Sequence, residues 1–122
     1  MLSRIRLELA RTKDHPEGAA NVGYEFAAPL KSDGHIDADE WHRLKDKCHV
    51  LRFRPDEKDE IGHLVRRPGG SWAFHYDIHG DPGDDESGYR FASHPFVVGE
   101  YVSLREDDEL ITYRVASLRK AD

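Results

Sequence analysis

Apolar residues along this chain recur mainly at every second position, the repeat of a half-buried strand. In RIRLELAR, Ile5, Leu7 and Leu9 share one face and Arg4, Arg6 and Glu8 the other. VGYEFAAPL continues the alternation through Val22, Tyr24, Phe26 and Ala28. HVLRFR reads as a short strand with Leu51 and Phe53 inward, and Val50, Arg52 and Arg54 outward. PDEKDE then reads as a charged loop. IGHLVRR, PGG and SWAFHYDI form the clearest hairpin signal, with Trp72, Phe74, Tyr76 and Ile78 on one apolar face. GYRFAS can form a brief strand. EYVSLRE and LITYRVASL make a last hairpin around DDE, with Val102 and Leu104, then Ile111, Tyr113 and Val115, on its apolar face.

One segment has the helical repeat. In DADEWHRLKDKC, Trp41, Leu44 and Cys48 fall at i, i+3 and i+7, and the spacing predicts a helix over about 37–48. Asp37 suits the N-cap, and Glu40 three residues on nearly completes a capping box. Many short strands and one helix predict a mostly β fold of the β-rich α+β type. The expected form is a small antiparallel barrel or curled sheet of about seven strands, in one domain over 1–122, with the helix plugging an end or covering an edge.

The 122 residues suffice for one core, and 34% of them are charged, so the surface is densely polar. A net charge of −6 argues against nucleic acid as the default partner and against anionic membranes. The single cysteine, Cys48, rules out an intrachain disulfide and fits a reducing compartment. MLSRIRLELAR has no uninterrupted apolar run and does not read as a signal peptide, and no segment has the length of a spanning helix. The expectation is a cytoplasmic protein, monomer or homodimer.

The candidate chemistry centres on WAFHYDIHGDPGDDE. His75, Asp77 and His79 lie at i, i+2 and i+4, opposite the aromatic face. Two imidazoles and a carboxylate suit a divalent metal such as zinc or manganese. A three-residue PGG loop places His63 opposite His75, giving a His63, His75, Asp77 set with His79 at its margin; a two-residue loop slips the register and removes His63. The competing reading is a solvated strand face carrying no metal or other cofactor. The acids of DPGDDE do not match a calcium loop, because their spacing is wrong. Paired arginines, Arg4 with Arg6, Arg52 with Arg54, and Arg66 with Arg67, would form a basic stripe if their strands were neighbours, which is the route to a nucleic-acid binder. Cys48 belongs to the apolar helix face and reads as an inert thiol beside His49. There is no nucleophile elbow, phosphate loop or dinucleotide fingerprint.

HPEG, GYEFAAPL, DGHIDADEW, GGSWAFHYD, GYRF and GEYVSLRE, spread over nearly the whole chain, resemble a family of small uncharacterised bacterial proteins. The resemblance implies a stand-alone bacterial domain and transfers no catalytic residue. With no catalytic motif evident, the expected role is a binding or interaction module for a protein, peptide or small ligand, with Tyr89, His94 and Tyr101 as exposed candidates at a rim. A metal-dependent hydrolase and a nucleic-acid binder are the alternatives.

Overall fold

Alternation carried through successive hairpins produces a closed barrel. The computed structural model describes residues 2–77 and 85–121. Its strands are β1 (Leu2–Leu9), β2 (Ala19–Pro29), β3 (His49–Arg54), β4 (Glu57–Arg66), β5 (Trp72–Tyr76), β6 (Glu86–Tyr89), β7 (Tyr101–Glu106) and β8 (Glu109–Lys120). Each pairs antiparallel with the next, and β8 returns to β1, with Ile5 opposite Leu118. Each described strand therefore has a neighbour on both sides.

Inward positions follow the period-two reading on most strands. Ile5, Leu7, Tyr24, Phe26, Ala28, Trp72, Phe74, Tyr76, Val102, Leu104, Tyr113 and Val115 are all buried. On the outer face of β5, His75 is half-buried and Asp77, just beyond the strand, is exposed. Arg67 N–H donates to Ser71 O at 2.8 Å across the PGG turn, so the loop has three residues and His63 stands opposite His75.

Two sequence expectations need correction. PDEKDE is not a loop: only Pro55 and Asp56 separate β3 from β4, and Arg54 pairs with Glu57. On β3 the assigned faces are reversed. Val50 is buried, and the Arg52 and Arg54 side chains are only 16% and 11% exposed. The barrel interior is charged at that end, so the arginines find partners inside. Phe53 lies under the Arg6 guanidinium, 4.4 Å from its ring centre.

The two ends of the barrel differ. The β1–β2, β3–β4 and β7–β8 hairpins gather at one end. The other is closed by the 30–48 and 90–100 connections. There Phe26, Phe74, Phe91 and Phe96 pack with centroids 5.1–6.3 Å apart. The plug contains the helix α1 (Ala38–Leu44), shorter than the predicted span; Lys45–Lys47 tighten into a 3-10 turn that steers the chain into β3. Asp37 caps α1 as expected, accepting from Glu40 N–H at 3.2 Å. The Glu40 carboxylate pairs with Arg43. Trp41 sits edge-on to Trp72 at 5.2 Å and donates its indole N–H to Leu64 O at 3.0 Å. Cys48 is buried, and burial pushes its thiol pKa up to about 11. No helix among the described residues is long and apolar enough to cross a membrane.

Candidate functional site

The hairpin end of the interior holds the structure's unusual chemistry. Pairing carries Tyr24 on β2 to Arg52 on β3, and Arg52 to Glu60 on β4. Phe74 on β5 stands opposite Glu86 on β6, which brings that carboxylate inside. Tyr76, Glu106, Tyr113 and Arg54 complete a layer in which charge replaces hydrocarbon.

Within it two clusters form. Glu86 Oε1 accepts from the Tyr24 hydroxyl at 2.7 Å and the Tyr76 hydroxyl at 2.5 Å. Glu106 accepts from the Tyr113 hydroxyl and from Arg54 Nη2, the latter at 2.9 Å. Arg54 is bonded further: it donates to Phe53 O at 2.8 Å, Gly23 O at 3.3 Å and Tyr113 Oη at 3.0 Å. It lies over the Tyr24 ring at 5.4 Å, holding the two clusters together.

Arg52 is held more loosely. It lies 3.3 Å from Glu60, 3.5 Å from Glu86, 3.7 Å from Glu57 and 3.8 Å from Glu106. Only the Glu60 contact is a hydrogen bond. Its Nε is buried and has no hydrogen-bond partner among the described residues. Two guanidinium groups thus face four carboxylates. The excess negative charge continues into a cleft of about 390 Å³ lined by Glu106, Asp107, Asp108, Glu109 and Ile111.

Burial dominates the proton affinities here. It pushes the phenols of Tyr24, Tyr76 and Tyr113 far above their ordinary range, with nearby carboxylates adding to the effect. These phenols stay protonated and act as hydrogen-bond donors. Burial also raises Glu86, against the opposing hydrogen bonds from Tyr76 and Tyr24. For Arg52 burial works against the charge, but Glu86 and the surrounding groups outweigh it and the guanidinium stays firmly cationic.

The residues singled out from the sequence lie elsewhere, on the outer wall. His63 Nδ1 is 2.9 Å from Asp77 Oδ1, and His75 Nδ1 is 2.6 Å from Asp85 Oδ1. The two imidazoles are strand neighbours, yet each is claimed by a different carboxylate. Asp85 also accepts from Arg67 at 2.7 Å. Among the described residues no group of three or more His, Cys, Asp or Glu is arranged to hold a metal ion. His79 lies outside the described residues. Tyr89 is 39% and Tyr101 56% exposed, both on the outer face, and His94 is half-buried in the 90–100 connection. Tyr101 borders a groove of about 460 Å³ with Arg11, Glu17 and Arg114. The arginine stripe does not form, because Arg52 and Arg54 point inward while Arg6 is paired with Glu8 and Glu25.

Sequence reasoning missed the interior layer. One signal was available: tyrosines at 24, 76 and 113 all fall on core faces, and a buried phenol needs a partner. No family model, curated protein or solved structure matches the chain.

Proposed function

We propose that this barrel is a binding module that takes a small amine-bearing polar ligand at its hairpin end. The observation that carries the reading is the enclosed layer of Arg52, Arg54, Glu86 and Glu106, with the more exposed Glu57 and Glu60 beside it and an acidic cleft sharing Glu106. Charges withdrawn from water are costly unless fully paired, and apolar residues of similar volume would often be as stable or more so. Perturbed, partly committed charges inside a cleft are the usual mark of a functional site. The carboxylate excess favours an ammonium or guanidinium group, and the acidic rim attracts cations to the mouth.

Calorimetric titration with spermidine and agmatine, against citrate and inorganic phosphate, tests this. The expected result is binding of the amines only, weakened by added salt and at least tenfold weaker in Glu106→Gln. Binding of the anions alone, or no amine binding by folded protein at millimolar concentration, would overturn the reading.

A further inference from the structure

The outer wall carries a second arrangement, on β3 and β4 beside His75 of β5. His49 on β3 stands directly opposite His63 on β4. Their ring centroids are 4.7 Å apart and the planes are inclined at 48°. The geometry points to a two-histidine chelate for a divalent transition metal, formed by His49 and His63 and oriented by Asp77.

Metal–nitrogen bonds to imidazole are about 2.0–2.1 Å long, so two rings on one ion, at angles between square and tetrahedral, have centroids about 4.5–5.2 Å apart. The observed separation falls inside that window. The Asp77 carboxylate holds His63 Nδ1 at 2.9 Å. If Nδ1 carries the proton there, Nε2 is left with its lone pair free. A carboxylate fixing the far nitrogen of a ligating histidine is the usual support of such sites, and it raises ligand basicity. His49 is exposed, and the side chain of His63 is one-third exposed, so an ion reaches both without disturbing the core.

The pair supplies two ligands, which accords with the lack of a three-residue group among the described residues. The remaining positions fall to water or to a donor from outside. His63 also borders a groove of about 440 Å³ with Trp41, Lys45, Asp46 and His75, which gives such a donor room to approach. Two imidazoles and open positions suit copper(II), nickel(II) or zinc(II) over manganese(II), which prefers oxygen.

The test is calorimetric titration of the whole protein with Ni²⁺, Zn²⁺ and Cu²⁺, with nitrogen NMR of the imidazoles as a second readout. One ion per chain is expected, with the resonances of His49 and His63 perturbed first. His49→Ala and His63→Ala should each lower affinity at least tenfold, and Asp77→Asn by about tenfold. His75→Ala should leave it unchanged. Circular dichroism checks that each variant is folded. Undiminished binding in the His49→Ala/His63→Ala double variant, loss of binding only on removing His75 or His79, or no binding to the folded wild type would each overturn the assignment.

Discussion

Arg54→Leu is the sharpest test of the charged interior. The substitution keeps an apolar stem of similar reach but removes the guanidinium. Four hydrogen bonds disappear, to Phe53 O, Gly23 O, Glu106 Oε1 and Tyr113 Oη. The Glu106 side chain, 14% exposed, then has Arg52 at 3.8 Å as its nearest cation. A charge-assisted hydrogen bond contributes roughly 1.5–3 kcal/mol, and a buried acceptor left without its donor costs about 1–3 kcal/mol more. Breaking a buried pair from one side costs about 3–5 kcal/mol in general. Arg52 can lean toward the orphaned carboxylate, so the lower end, about 3 kcal/mol, is expected here.

The double variant Arg54→Leu/Glu106→Leu removes both charges and leaves the Tyr113 hydroxyl and the Phe53 and Gly23 carbonyls without these partners. It should lose much less than the two single variants combined, with a coupling energy of at least about 2 kcal/mol in the cycle. Urea denaturation followed by fluorescence of Trp41 and Trp72 measures all four proteins, with slopes unchanged if only stability is altered. A loss below about 1 kcal/mol for Arg54→Leu, with no coupling to Glu106, is the behaviour of an exposed pair. That outcome would refute the enclosed polar layer.

Two further outcomes follow from the same interior. A methyl group at Gly88 would meet the Phe91 ring at 2.4–2.6 Å. Gly88→Ala should therefore cost about 1–3 kcal/mol by overpacking, and Gly88→Ala/Phe91→Leu should recover part of it in the same urea assay; equal stability of Gly88→Ala and wild type would show that the ring does not rest on the strand. Glu86 has its folded pKa raised above the usual 4.5, chiefly by burial. Between those two values the native state binds more protons than the unfolded chain, so stability falls as pH rises through that window. The stability of wild type relative to Glu86→Gln should accordingly decline from pH 4 upward, and a rise over that range would contradict the burial argument.

How much of this could be read in the sequence depends on which rule each residue obeys. Trp72, Phe74 and Tyr76 alternate with His75 and Asp77 so strongly that their faces were evident, and β5 follows them. The register of His63 against His75 hung on whether PGG closes three residues or two, which local sequence left open. On β3 the apolar-inside rule failed. Leu51 and Phe53 oppose Val50, Arg52 and Arg54, and hydrophobicity favours the wrong pair. Turn length alone would not have decided it: a plain two-residue turn at Pro55–Asp56 sets Asp59 against Arg52, and only a register shift between Arg52 and Arg54 brings Glu60 to Arg52 and Gly62 to Val50. Counting from the better-defined hairpin puts Glu60 inside, but the irregularity that sets Arg52 against it has no signal in the sequence. Glu57 and Glu60 are near that arginine in sequence, but Glu86 and Glu106 come from β6 and β7, so no local motif announces the full set.

The apolar end explains why a charged end can be tolerated. Closure around Phe26, Phe74, Phe91 and Phe96, with Trp41 set against Trp72, removes both unpaired edges and a large aromatic surface from water. That half can hold the strands in register without help from the other, which leaves the hairpin end free to carry groups that are poor for stability. Sites of this kind are where local rules of folding are broken and compensated elsewhere. The same logic separates a ligand site from a structural polar plug. If the layer only fixes register, apolar replacement of Arg52, Arg54, Glu86 and Glu106 together should loosen the barrel into several conformations. If the layer serves a ligand, the replaced barrel should keep one set of sharp NMR resonances, melt higher, and fail to bind amines. The uneven commitment of the two arginines favours the second outcome. Arg54 makes four hydrogen bonds, while Arg52, surrounded by carboxylates, makes one among the described residues. A layer built for register alone would have no reason to leave its central cation so loosely bound.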